Sequence, residues 1–151
     1  MVQPRAPRGD AEARERELAA RKRVAALVSG GLNFHLKRNG DQVQAARGTG
    51  GAKLCARLTN KTFVPEQTLD LAGTPESEFD GAISAFLRVV HRRGVKHLLI
   101  AFSNPADESR EQREESLVTA LTRGGPAPLV RAFATPHDAF GGRNALAVLL
   151  V

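Results

Sequence analysis

Apolar positions along the second half of this chain change period several times, and the changes mark its elements. Thr68 to Ala72 is a short apolar run carrying one acid, Asp70, and it stops at Gly73. Phe79, Ala82, Ile83, Phe86, Leu87 and Val90 then recur at three- and four-residue steps, the stripe of an amphipathic helix. Thr74 is placed to cap that helix and Pro75 to hold its first position, with Glu76 and Glu78 at the positive end of its dipole. His91-Arg92-Arg93-Gly94 supplies last-turn cations and a C′ glycine. Lys96 to Phe102 is a continuous apolar run of strand length, the pattern of a central parallel strand. A second helix is predicted from Asp107 to Arg123, with Leu117, Val118 and Leu121 as its buried face, stopped by Gly124-Gly125-Pro126. Leu129–Ala134 reads as a strand, 135–143 as a loop and Asn144–Val151 as a last strand.

The order is β-α-β-α-β-β. Two crossovers demand parallel strands, and the short final connection favours an antiparallel pair. Residues 68–151 are therefore expected to form a two-layer α/β sandwich, a mixed four-stranded sheet with both helices on one face.

The first 67 residues are patterned differently. Residues 1–9 are rich in Pro, Arg and Gly and are expected to be disordered. Asp10 opens a helical pattern that runs to Val28, with Glu12/Arg16 and Glu17/Arg21 at i,i+4 and only a thin apolar face. Residues 1–31 thus read as a basic, partly helical arm, and 32–67 as an extended basic lead-in. Gly48-Thr49-Gly50-Gly51-Ala52-Lys53 lacks the spacing of a phosphate-binding loop and reads as a flexible turn.

Charge sharpens this division. The net charge is +6 over 151 residues; residues 1–68 hold 13 Lys/Arg against 6 Asp/Glu, and 69–151 hold 9 against 10. A basic arm on a near-neutral domain points to an anionic partner, nucleic acid before membrane surface, or else to a solvated tail. Arg21, Lys22, Arg23, Lys37 and Arg38 are the densest cations, and Arg47, Lys53, Arg57 and Lys61 continue them. With no Trp or Tyr, contact would be to phosphates and not to stacked bases. The single cysteine, Cys55, forms no internal bridge and suits a reducing compartment. No run of eighteen apolar residues and no signal-like segment occurs, so the expectation is a soluble, cytoplasmic protein.

Ligands in such sheets meet the loops after the parallel strands. That edge offers Asp70, Ser103, Asn104, His137, Asp138 and Arg143, with Gly73, Gly141 and Gly142 permitting close backbone approach. Asp70 is either satisfied by the turn after it or functional. The four histidines make no zinc-ligand spacing, and no cofactor or metal is expected.

Leu69-Asp70-Leu71-Ala72-Gly73 before a Thr/Pro-opened helix resembles the Leu-Asp-Leu-His-Gly opening of the small MutS-related (Smr) domain. Leu98-Leu99-Ile100 stands where that family has Ile-Ile-His-Gly-Lys-Gly, and Gly141-Gly142-Arg143-Asn144-Ala145 looks like its Gly-Gly-x-Gly-Ala element. Upstream, Gly40-Asp41-Gln42 and Leu58 through Phe63 to Glu66-Gln67-Thr68-Leu69-Asp70 are similar to the lead-in of stand-alone Smr proteins. The resemblance covers about residues 32–151. It implies the Smr fold, and an ancestry in DNA nicking, RNA cleavage or nucleic-acid binding. The departures bear on activity. The family's first histidine is Ala72, its His-Gly-Lys-Gly loop is Ala101-Phe102-Ser103-Asn104, and its third glycine is Asn144. The expectation is a nucleic-acid-binding module that has lost the nuclease chemistry, with Arg21, Lys22, Arg23, Lys37, Arg38, Gly73, Gly141, Gly142 and Arg143 in contact. The alternatives are a protein-interaction module, favoured by Phe102 and the acidic second helix, and a residual metal-dependent nicking enzyme built on Asp70.

Overall fold

A computed structural model describes residues 33–151; the expected helix over 10–28 and the cations Arg21, Lys22 and Arg23 lie outside the described residues. In chain order the elements are β1 (His35–Asn39), β2 (Gln42–Ala46), α1 (Gly51–Thr59), β3 (Gln67–Asp70), α2 (Phe79–Arg92), β4 (His97–Ala101), α3 (Arg110–Arg123), β5 (Val130–Ala134) and β6 (Ala145–Leu150). Short 3-10 turns occupy Glu76–Glu78, Ala127–Leu129, Asp138–Phe140 and Gly142–Asn144.

The strands form one mixed sheet in the order β1-β2-β5-β6-β4-β3. Among the described residues only β3 and β4 pair in parallel; every other neighbour is antiparallel. The crossover through α3 carries the chain from β4 to a strand of the same direction two places away, and β6 then turns back into the gap. The last pair is antiparallel as the short connection requires.

The sheet has six strands, not four. The segment 32–67 is no extended lead-in: it supplies the β1–β2 hairpin and α1. Nor is the domain two-layered throughout. α2 and α3 share one face, burying Phe79, Ile83, Leu87, Leu117 and Leu121 against Val43, Leu98, Ile100, Phe133, Leu146 and Val148. α1 packs on the other face, where Cys55 and Leu58 meet Ala132, Ala134 and Ala147. Those alanines let a short helix lie close to the sheet. Nine residues are too few for a helix to persist alone in water, so α1 depends on this contact. Leu58, 1% exposed, contributes about 1.5–3 kcal/mol by its burial.

Both helix ends of α2 follow from local chemistry, one not as expected. At the C-terminus Gly94 takes φ 81°, and Val95 N–H donates to Val90 O at 3.1 Å, closing the helix as a C′ glycine should. At the N-terminus Thr74 does not cap. Its N–H donates to Leu71 O at 2.9 Å in the turn leaving β3. Pro75 is extended (ψ 145°) and precedes the Glu76–Glu78 turn that leads into the helix.

Candidate functional site

The topology brings one edge together. Asp70 at the end of β3 lies in register with Ala101 of β4, which lies in register with Ala145 at the start of β6. The loop from β5 to β6 therefore runs to the edge where β3 and β4 end, as expected. Phe102 N–H donates to Asn144 O at 3.0 Å, and Ser103 Oγ donates to Asn144 Oδ1 at 2.8 Å. Ser103 and Asn144 are two departures from the Smr pattern, and they satisfy each other.

Asp70 is exposed, and its Oδ1 accepts Ala72 N–H at 2.9 Å, an Asx turn. No imidazole hydrogen-bonds to it among the described residues. His35 is on the outermost strand β1, at the far side of the sheet from β3. His91 is in the last turn of α2, and His97 opens β4, where its Nδ1 meets Glu66 Oε2 at 3.2 Å. His137 caps a 3-10 turn, its Nδ1 accepting Ala139 N–H at 3.1 Å. No three His, Cys, Asp or Glu side chains among the described residues are placed to hold a metal ion.

Two arginines that the sequence pattern did not single out organise this edge. Arg113 of α3 is buried; its Nε donates to Phe102 O at 2.6 Å, and its Nη2 donates to Leu71 O and Ala72 O. Its guanidinium also sits 4.9 Å from the Phe79 ring centroid. One side chain thus staples the loop after β3 to the loop after β4. Arg110, one turn earlier and also buried, donates from Nε to Arg143 O at 2.8 Å and from Nη2 to Glu114 Oε2 at 2.9 Å. The available signal was spacing: 110, 113, 114, 117 and 121 lie on one helical stripe, polar where it covers backbone carbonyls and apolar where it covers the sheet.

The residues expected to bind phosphate have unequal fates. Arg38 is paired with Glu114, at 3.2 Å, and with Glu115. Arg143 lies 3.4 Å from Asp41. Gly141 and Gly142 adopt φ 106° and 51°, as the tight turn into β6 demands. Gly73 has an ordinary φ, and a Cβ placed on it would meet nothing within 4 Å, so its geometry requires no glycine. Lys37 is exposed on β1. Phe102 is fully buried in the main core and offers nothing to a protein partner.

Charge differs between two patches of the surface. Lys53, Arg57 and Lys61, on α1 and the turn after it, are exposed on the side where α1 covers the sheet. The helical face opposite carries a groove of about 380 Å³ lined by Glu76, Asp80, Glu115, Ser116 and Arg123 among others. Cys55, near the basic side, is 3% exposed, and burial pushes its thiol pKa up, as befits an unreactive core residue.

With this geometry in hand, one likeness decides the fold. The chain is similar to YdaL, a stand-alone small MutS-related protein from Escherichia coli. The match has a TM-score of 0.51 and 21% identity, over 69% of this chain and 79% of that one. The fold is Smr-like. The chain matches no protein-family model and no curated protein. On this fold the positions that carry the resemblance's imidazole and Gly-Lys-Gly turn are Ala72 and Ala101–Asn104, the segments held by Arg113. No helix among the described residues is long and apolar enough to cross a membrane.

Proposed function

We propose that this chain is a nucleic-acid-binding module on an Smr-like scaffold, acting in the reducing cytoplasm without strand-cleavage chemistry. The observation that carries it is the state of the edge at Asp70. Arg113 and the Ser103–Asn144 pair fill it with satisfied internal bonds, while a basic surface remains open elsewhere. Among the described residues no imidazole hydrogen-bonds to Asp70, and Ala72 and Ala101 bring none to the positions where the resemblance has them. A phosphodiester held there would lack those proton-transfer groups. Asp70 acts as a turn residue. Supercoiled plasmid incubated with magnesium or manganese should stay intact with wild type and with Asp70→Ala alike; nicking by wild type that Asp70→Ala abolishes would reverse this reading. Anisotropy with labelled duplex DNA, single strands and structured RNA should detect binding at about 50 mM salt that weakens log-linearly with salt.

A second reading, a protein-interaction module, rests on the groove between α2 and α3, where Glu76, Asp80 and Glu115 outnumber Arg123 and suit a basic peptide. A nuclease-insensitive stoichiometric partner lost on Glu115→Lys would favour it.

A further inference from the structure

We infer that the DNA-contacting surface is the outer face of α1 with Lys37 beside it, and that its ligand is a B-form duplex gripped through phosphates. This inference rests on the nucleic-acid-binding reading and names where and what that binding would be.

The first ground is which cations are available. At the Asp70 edge Arg110 and Arg113 are buried and bonded to carbonyls, Arg38 faces Glu114 and Glu115, and Arg143 faces Asp41. By contrast, Lys37, Lys53, Arg57 and Lys61 are exposed and enter no ion pair among the described residues. Arg88, Arg92, Arg93 and Arg123 share that state on the α2–α3 side, but there the acids of both helices lie in the same elements or next to them. Lys53 and Arg57 stand at i,i+4 and so project from one side of α1, about 6 Å apart along its axis. Ala52 and Ala56 flank them, also exposed, and leave the backbone approachable. Lys61 extends the row into the following turn.

The second ground is the field behind them. Residues 33–65 contain one acid, Asp41. Just before α1, Arg131 bonds to Arg47 O and Thr49 O, while Arg47 bonds to Val130 O and Pro128 O with its guanidinium over the Phe34 ring. Burial, and after it the neighbouring charge of Arg131, lowers the pKa of Arg47. The N-terminus of α1 opens at Gly50 without a side-chain cap, so its amide dipoles add to the same positive field. The first 68 residues owe as much to this surface as to the arm, since 1–31 hold 7 Lys/Arg against 4 Asp/Glu and 32–68 hold 6 against 2.

The third ground is shape. α1 covers this face of the sheet with one side outward. A single helix matches the roughly 12 Å major groove of B-form DNA, whereas the deep, narrow major groove of an RNA duplex excludes it. Among the described residues no Phe is exposed, and the one exposed ring beside Lys37 is the His35 imidazole, a small platform for stacking single strands.

The test is anisotropy on the full chain with a short DNA duplex, the matching RNA duplex and the single strand. The variants are Lys53→Ala/Arg57→Ala/Lys61→Ala, its charge-keeping counterpart Lys53→Arg/Arg57→Lys/Lys61→Arg, and Arg143→Ala. The alanine triple should weaken duplex DNA binding on the order of a hundredfold at about 0.1 M salt, and flatten the log–log salt slope by about 2.7 for three lost contacts. The charge-keeping triple and Arg143→Ala should bind within about twofold of wild type. These residues are exposed, so all variants should keep the wild-type circular dichroism. Wild-type binding that survives the alanine triple with its slope intact overturns the inference and leaves the module reading standing. Tighter binding of RNA duplex or single strand overturns the assignment to B-form DNA. Wild type that binds none of the probes overturns the module reading and this inference with it.

Discussion

Arg113 illustrates how one residue can decide the fate of a site. A buried guanidinium tolerates its surroundings only when its donors are satisfied, and here Phe102 O, Leu71 O and Ala72 O accept them while the Phe79 ring meets its face. Arg113→Met keeps bulk but leaves Phe102 O without that donor. Stability should fall by about 2–4 kcal/mol, seen as a lower urea midpoint at unchanged slope. The glycines of the same edge separate by backbone. Gly142→Ala forces a side chain into φ 51°, with its methyl 2.7 Å from the swingable Asp138 Oδ1, and should cost about 1–2 kcal/mol. Gly73→Ala meets open space at an ordinary φ and should stabilise by about 0.4–1 kcal/mol through the unfolded chain. Thermal melts of the two variants should shift in opposite directions. Both glycines matched the Smr pattern in sequence, which does not distinguish a strained turn from a relaxed one.

At the scale of elements, β4 is started by a carboxylate. Glu66 Oε2 accepts Lys96 N–H at 3.2 Å, His97 N–H at 3.1 Å and the His97 ring at 3.2 Å. The two backbone bonds first, then the ring, hold the Glu66 pKa below its ordinary value of 4.5. A depressed folded pKa means the carboxylate's contribution is complete above about 4.5 and is lost as pH falls through the lower folded value. The gap in Tm between wild type and Glu66→Gln should therefore be widest at neutral pH and close on acidification below about 4.5. A gap that stays constant down to about pH 3 would mean the carboxylate's charge is not the cause. The same scale holds what pattern reading missed. The Gly40-Asp41 pair between Asn39 and Gln42 is a two-residue hairpin turn, and Val43 and Ala45 alternate inward behind it, yet five-residue strands rich in Lys, Arg and Gln carry little periodic signal. α1 hides for another reason: its apolar stripe, Leu54, Cys55 and Leu58, is one turn long and follows a Gly-Thr-Gly-Gly run that reads as a turn.

For the whole molecule the governing feature is a contrast between two patches. Glu76, Glu78, Asp80, Glu108, Glu111 and Glu115 gather around the first turns of α2 and α3, whereas α1 carries no acid, so a duplex is repelled from the first patch and drawn to the second. Glu108→Gln/Glu111→Gln removes part of that far-side repulsion without touching the basic surface or freeing a paired cation. Association with duplex DNA should speed up at about 0.01 M salt, where charges reach about 30 Å, and be unchanged at about 0.1 M. The dissociation rate should not move. Stopped-flow association at the two salt concentrations reads this directly, and an altered dissociation rate would place the acids in the contact itself.

The chain's own periodicities determined the elements from Gln67 to Leu150, because stripes and apolar runs reflect burial along a single helix or strand. That Ala72 and Ala101 stand where the Smr pattern has histidine was equally plain, since it is a matter of residue identity. Only the tertiary structure decided that β6 lies between β4 and β5, that α1 covers the opposite face, and which cations are engaged. Those depend on contacts between residues far apart in the chain, Arg38 with Glu114 or Arg113 with Phe102 O, and pairing across such distances leaves no trace in local spacing.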